Sequence, residues 1–202
     1  MSGPSAEQRQ HLIERILNAV DPRLAVGVRA EFSRRAPAEP PHAARTVVLG
    51  GHRAAGKSRL LPLVSALLGR PGVDLDLELE RRTGRALREW VLTDTAGFRA
   101  AERELFLSLP PGSCVAVGGG YLSHHPETLA SCYTLLVPIS LETYRERLTQ
   151  DTRRPRLRPE LSLEEELTSI YAQRTALHDR LNTVALGEFL RAMSTWSPEL
   201  PA

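Results

Sequence analysis

One octapeptide does most to restrict the folds open to this chain: Gly51-His52-Arg53-Ala54-Ala55-Gly56-Lys57-Ser58, which has the pattern GxxxxGK[ST]. It follows a short apolar run at 46–49 and opens a stretch, 57–68, in which Leu60, Leu61, Val64, Leu67 and Leu68 recur at helical spacing. Strand, glycine-rich turn and helix in that order put backbone N–H groups and the positive end of a helix around a phosphate. A lysine at this position reaches the outer phosphates, and Ser58 can hold Mg²⁺. Composition sharpens the point, because Lys57 is the single lysine among 26 basic residues and all the others are arginine. A chain that uses arginine wherever a generic cation suffices keeps a compact ammonium here. Pro62 falls early enough in the helix to kink it without ending it.

Downstream, strand-like runs at 73–77, 113–117 and 133–139 alternate with helical periods at 78–109, 141–149 and 163–181, the longest interrupted at Gly84 and Gly97. Strands separated by helices make βαβ units and a parallel sheet. Asp74-Leu75-Asp76 sits at the end of the second strand; extended backbone would point both carboxylates toward the sheet edge where α/β proteins bind ligands. Such a pair suits one carboxylate near a metal and one at an acceptor hydroxyl, or simply an acidic turn. Arg99 and Glu102 share a helix face at i,i+3, and Gly118-Gly119-Gly120 follows the third strand, where backbone can approach a ligand closely. The segment 151–159 is polar, rich in arginine and proline and bracketed by helices, as a lid or a solvated basic loop would be.

Other features bound the remainder. Ser5 and Gln8 have the form of a capping box before a short amphipathic helix carrying Leu12, Ile13, Ile16, Leu17 and Val20. A proline-rich stretch around Pro37, Pro40 and Pro41 then reads as a linker, so 1–45 is expected to be a helical extension that packs on the domain or meets a partner. Cys114 and Cys132 lack metal-ligand spacing and suit small buried hydrophobes. A net charge of +2 argues against a nucleic-acid surface. No apolar run is long enough for a membrane span, and no signal peptide is expected, which suggests a cytoplasmic protein.

Five motifs in order carry a resemblance: the phosphate loop, Asp74-Leu75-Asp76, Phe98-Arg99 with Glu102, Gly118-Gly119-Gly120, and Arg154-Pro155 followed by Arg174. Together they resemble the shikimate kinases, small P-loop kinases of the nucleoside-monophosphate-kinase type, over about 46–185. The resemblance implies an α/β fold, a three-layer α/β/α sandwich with a parallel sheet of P-loop NTPase type, plus the short helical extension. It implies a kinase domain at 46–192 and a tail at 193–202. ATP would be the co-substrate, held by Gly51, Ala54, Ala55, Gly56, Lys57, Ser58 and Arg59, with Arg147 stacked on adenine. Mg²⁺ would meet Ser58 directly and Asp74 through water. Lys57, Asp76 and the lid residue Arg154 would be catalytic. Asp76, Arg99, Glu102, Gly118, Gly119, Gly120 and Arg174 would bind the acceptor, with Glu102 holding Arg99. The implied partner is a small hydroxylated acid, with no nucleic acid or membrane, and the implied state a monomer or weak dimer.

Several positions depart from that family pattern. Ala54 stands where glycine is usual, and Arg53 where an apolar residue often faces the substrate. Trp90-Val91 replaces a common Ile-Phe pair, and His178, expected on the helix surface, replaces a frequent tyrosine. Val184-Ala185-Leu186 lacks the polar residues often found beside adenine, and His124-His125 reads as a loop pair. Two alternatives therefore stay open: a sister kinase for another polyol acid such as gluconate or a specialised-metabolism cyclitol, and a non-catalytic metabolite-sensing regulator.

Overall fold

The computed structural model describes residues 3–151 and 156–196. Five strands, β1 (Val47–Gly50), β2 (Gly72–Asp74), β3 (Cys114–Ala116), β4 (Tyr133–Leu136) and β5 (Thr183–Ala185), pair in parallel in the order β2-β3-β1-β4-β5. Their two-residue alternation divides the core. Val47, Leu49, Cys114 and Ala116 face one layer, while Val48 and Val115 face the other. On the first side lie α1 (Ala6–Ala19), α3 (Lys57–Leu68) and α10 (Leu186–Thr195); on the second, α4 (Leu75–Thr83), α6 (Thr95–Leu107) and α7 (Tyr121–His124). The result is a three-layer α/β/α sandwich whose strands are apolar on both faces, as buried parallel strands must be.

The remaining helices are α2 (Ala25–Phe32), α5 (Leu87–Thr93), α8 (Leu141–Gln150) and α9 (Leu163–His178). At the N-terminus, Gln8 N–H donates to Ser5 Oγ at 3.2 Å and Ser5 N–H to Gln8 Oε1 at 2.8 Å, closing the capping box. Ile13, Ile16 and Leu17 of α1 are fully buried with the β1 side chains, so this helix contributes to the core. Asp21 then ties its end to α8, accepting from Ser140 N–H at 2.7 Å and Thr143 Oγ1 at 2.8 Å. Arg70 donates to the carbonyls of Pro41, His42 and Arg45, fastening the proline-rich segment to the loop after α3. No helix among the described residues is long and apolar enough to cross a membrane.

Two local expectations fail for one physical reason. The run 73–77 does not stay extended, because Asp74 Oδ1 accepts from Leu77 N–H at 3.2 Å and caps α4, ending β2. Asp76 consequently lies in a first helical turn and not on a strand, and Leu77 is 64% exposed where a strand would have buried it. The long helical stretch also breaks at Asp94 and not at Gly97: Asp94 ends α5 and caps α6 through Gly97 N–H at 2.9 Å. A side chain at 97 would come within 2.0 Å of that carboxylate, so the glycine makes room for the cap. In both places a short acidic side chain satisfies orphan N–H groups and decides where a helix begins. β5 and α10 are not foreseen by the pattern, since three strand residues carry no measurable period.

Candidate active site

All five strands end toward one edge, and the phosphate loop leaves β1 at the centre of that edge. Its backbone is unusual in three places. Gly51 has φ +130°, and a Cβ there would meet the Val137 carbonyl oxygen at 2.7 Å; Gly56 has φ +94° at the N-cap of α3; Ala54 has φ +57°. The curl closes on itself through Lys57, which is buried and donates from Nζ to the carbonyls of Gly51 at 3.1 Å and His52 at 2.7 Å. Pro62 leaves α3 continuous from Lys57 to Leu68.

Two cavities open beside this loop. The first, about 380 Å³, is lined by Ala54, Gly56, Lys57, Ser58 and Arg59 from the loop and helix start, by Asp74 and Asp76, and by Arg147 and Asp151 from the α8 end. Ser58 and Asp74 thus bring a hydroxyl and a carboxylate to one space, a hard-oxygen set suited to Mg²⁺. Arg147 is fixed at its mouth by donating to the Ala54 carbonyl at 2.7 Å. The second cavity, about 260 Å³, is lined by Arg88, Val91, Phe98, Arg99, Glu102, Gly120, Leu157 and Arg174. Arg53, Asp76, Gly118 and Gly119 line both. The turn that moved Asp76 from strand to helix therefore leaves its carboxylate between the two spaces.

The three glycines explain how so much charge fits here. A Cβ on Gly118 would lie 3.0 Å from both Asp76 Oδ1 and Glu102 Oε1, and one on Gly120 would lie 2.9 Å from Arg99 Nη2 and 3.4 Å from Arg174 Nη2. Arg99 donates to Glu102 Oε2 at 2.7 Å. Glu102 is 0% exposed, and burial, outweighing the attraction of Arg99, pushes its carboxyl up to about 7. Arg174 is 8% exposed; burial, reinforced by the charges of Arg53, Arg99 and Arg158, brings its guanidinium down to about 10. Its Nη1 and Arg99 Nε have no hydrogen-bond partner among the described residues. A buried and a half-buried guanidinium, both under-satisfied and converging on a concave space, form a receptor for a planar anion such as a carboxylate.

A sequence profile for the family described as shikimate kinase matches residues 53–194. The chain belongs to the shikimate kinase family. It is 34% identical over 142 residues to the shikimate kinase of Tolumonas auensis, which covers 66% of this chain and 81% of that one. Against the shikimate kinase of Desulforudis audaxviator it is 36% identical over 118 residues, 57% of this chain and 62% of the relative. The matched part thus spans less than two thirds of that relative, and 44% of the shikimate kinase of Geobacillus thermodenitrificans. Among solved structures, a shikimate kinase from Acinetobacter baumannii in complex with shikimate superposes with a TM-score of 0.61 at 24% identity, covering 74% of this chain and 88% of that one. The Aquifex aeolicus shikimate kinase gives 0.58 at 24% identity, covering 71% and 87%. Both show the same fold.

The departures from the shikimate kinase pattern now have a structural context. Ala54 occupies a left-handed backbone conformation, which explains why glycine is usual there and which costs an L-residue about 1–2 kcal/mol. His178 is buried and not on the helix surface: its ring meets that of His52 edge-on at 4.9 Å, and His52 stacks on Tyr171 at 4.2 Å. The His52 ring also lies 3.2 Å from Thr175 Oγ1, so the second residue of the phosphate loop is packed against α9 beside Arg174. Desolvation holds His52 down at about 3 and His178 at about 4. His124 belongs to α7, and buried His125 lies 3.5 Å from Glu102. Arg154 and Pro155 lie outside the described residues. The C-terminal flank of their segment is held to α9, where Glu166 accepts from Arg156 Nε and from Leu157 N–H. Sequence reasoning missed the burial of His52 and the place of Arg88 in the second cavity; the four-residue spacing of Glu166, Ile170, Arg174 and His178 along α9 is the signal that could have flagged the buried face beside His52.

Proposed function

We propose that this chain is an ATP- and Mg²⁺-dependent kinase that phosphorylates the 3-hydroxyl of shikimate. One observation carries the reading: Asp76 lines both cavities, one ending in Lys57 and Ser58, the other in the Arg99 and Arg174 pair. Family membership and the shikimate bound in the Acinetobacter neighbour support the choice of acceptor. In this reading the acceptor carboxylate sits between Arg99 and Arg174, which leaves a ring hydroxyl beside Asp76. Each charge-assisted bond to that carboxylate contributes about 1.5–3 kcal/mol.

The hydroxyl oxygen bonds to the γ-phosphorus as the bridging P–O bond breaks, its electron pair leaving with ADP. The hydroxyl proton passes to Asp76 and then to solvent. Lys57 exchanges its loop carbonyls for phosphate oxygens, Gly51 to Gly56 offer N–H groups, and Arg59 and Arg147 border the nucleotide, Arg147 against adenine. Ser58 and, through water, Asp74 would hold Mg²⁺, which would supply neutralisation of phosphate charge. Arg154 closes on the transferring group. Glu102 and the backbone of Gly118 to Gly120 hold the acceptor arginines and hydroxyls in register. Residues 46–192 form the kinase domain in this reading, after a helical extension and before a tail. The enzyme works in the cytoplasm as a monomer or weak dimer, without nucleic-acid or membrane partners.

A coupled assay of ADP release against shikimate, gluconate and a cyclitol acid tests this. Turnover is expected with shikimate alone; none at about millimolar shikimate, the upper end of ordinary enzyme KM values, would overturn it.

A further inference from the structure

Arg53 stands in the middle of the phosphate loop and is the only cation among the four described residues that line both cavities. Its stem lies close against the glycine run. A Cβ on Gly119 would lie 2.5 Å from Arg53 Cγ and 2.7 Å from Arg53 N, so the arginine stem presses on backbone that has no side chain to push it away. The second glycine of the run thereby leaves room for this side chain at the seam, one residue from the glycine that fits against Asp76. Its charge also reaches Arg174, whose guanidinium it helps to acidify after burial has done most.

We infer that Arg53 is a further catalytic residue whose guanidinium contacts the phosphoryl group as it crosses from nucleotide to acceptor. The inference rests on the kinase reading above. As the bridging bond breaks and the new P–O bond forms, charge spreads over three equatorial oxygens midway between the cavities. A cation serves catalysis best when it is preorganised where that charge develops. Lys57 lines the nucleotide side alone, and Arg99 and Arg174 line the far cavity alone, where Gly120 leaves them room; among the described residues the seam itself is lined by Arg53, Asp76 and the two glycines Gly118 and Gly119. The planar donor fork of an arginine suits two phosphoryl oxygens at once.

Arg53→Met and Arg53→Lys decide the matter through two readouts. In steady-state turnover, Met is expected to lower kcat about a hundredfold, with both KM values within about threefold, and Lys to restore part of the loss. In titrations without acceptor, Met is expected to weaken binding of MgADP with aluminium fluoride, a mimic of the transferring group, by a similar factor while MgADP alone binds as before. A kcat within about twofold of the parent overturns the inference. A raised acceptor KM at unchanged kcat does so too, and would make Arg53 a ground-state contact for a more anionic acceptor. Should the parent enzyme fail to phosphorylate shikimate, the proposed function falls, and the fluoride titration still judges Arg53: equal affinities in parent and Met variant would refute it.

Discussion

The two cavities that meet at Asp76 are built in opposite ways. The one beside the phosphate loop draws its chemistry from one short segment, 51–59, whose glycines and left-handed residues shape backbone N–H groups into a cradle. The arginine cavity assembles side chains from the loop, from α4, α5 and α6, from the glycine run after β3, and from α9. A site made of local backbone depends on a few φ angles and one lysine. One made of distant side chains depends on the sheet bringing them together, and on burial to keep Glu102 and Arg174 from pairing with water. The loop half should therefore respond to substitution all at once, and the arginine half by degrees and with pH.

The largest expected effect belongs to the loop half. Lys57→Ala removes the buried ammonium and should cost at least about a hundredfold in turnover, read by initial rates. On the other side, Arg99→Ala should raise the acceptor KM about thirtyfold while nucleotide affinity, read by titration, stays within about twofold. Equal losses of both affinities would erase the contrast between the halves. Glu102 sharpens it. Because burial raises its carboxyl to about 7, the group is ionised and tethers Arg99 above that pH and loses the tether below it. The acceptor KM should rise roughly tenfold between pH 8 and pH 6, a limit set by one proton, and Glu102→Gln should flatten the profile.

The smallest effect concerns the joint between the halves, where His52 packs on α9. Both His52 and His178 have pKa values lowered by burial, to about 3 and about 4, so the unfolded chain takes up protons first as pH falls below 6.5. Their contribution to stability is full above 6.5 and is lost progressively, down to about pH 4 for His178 and about pH 3 for His52. Each should cost about 1 kcal/mol between pH 6.5 and 5.5, measurable by denaturant titration, and His178→Phe should remove its share of the slope.

The same contrast governs how much could be read beforehand. The strand, loop and helix at 47–68 were legible because local backbone needs dictate residue types there, down to the helix bounds Lys57–Leu68. Asp74 and Asp76 were recognised as a pair, and Asp74 does end β2, but Asp76 was misplaced on the strand, since an aspartate can either follow the pleat or cap a helix and three strand residues are too few to decide. Arg99, Glu102 and Arg174 were identified by resemblance, whereas the burial of Glu102 and Arg174 was not legible. On α9 the buried residues are Glu166, Leu167, Ile170, Arg174 and His178, so its inward face is largely apolar up to Ile170 and polar beyond it, where a search for apolar periodicity stops. His178 looked like a surface residue for that reason. The stacking of His52 on Tyr171 joins residues far apart in the chain, which no local pattern encodes.

The central claim, that Asp76 sits where the contents of the two cavities react, is tested most directly by following the terminal phosphate of labelled ATP in the presence of shikimate. The account predicts label on the 3-hydroxyl of shikimate, with transfer abolished in Asp76→Asn while both ligands still bind. Label released only as inorganic phosphate, or full transfer by Asp76→Asn, would contradict it.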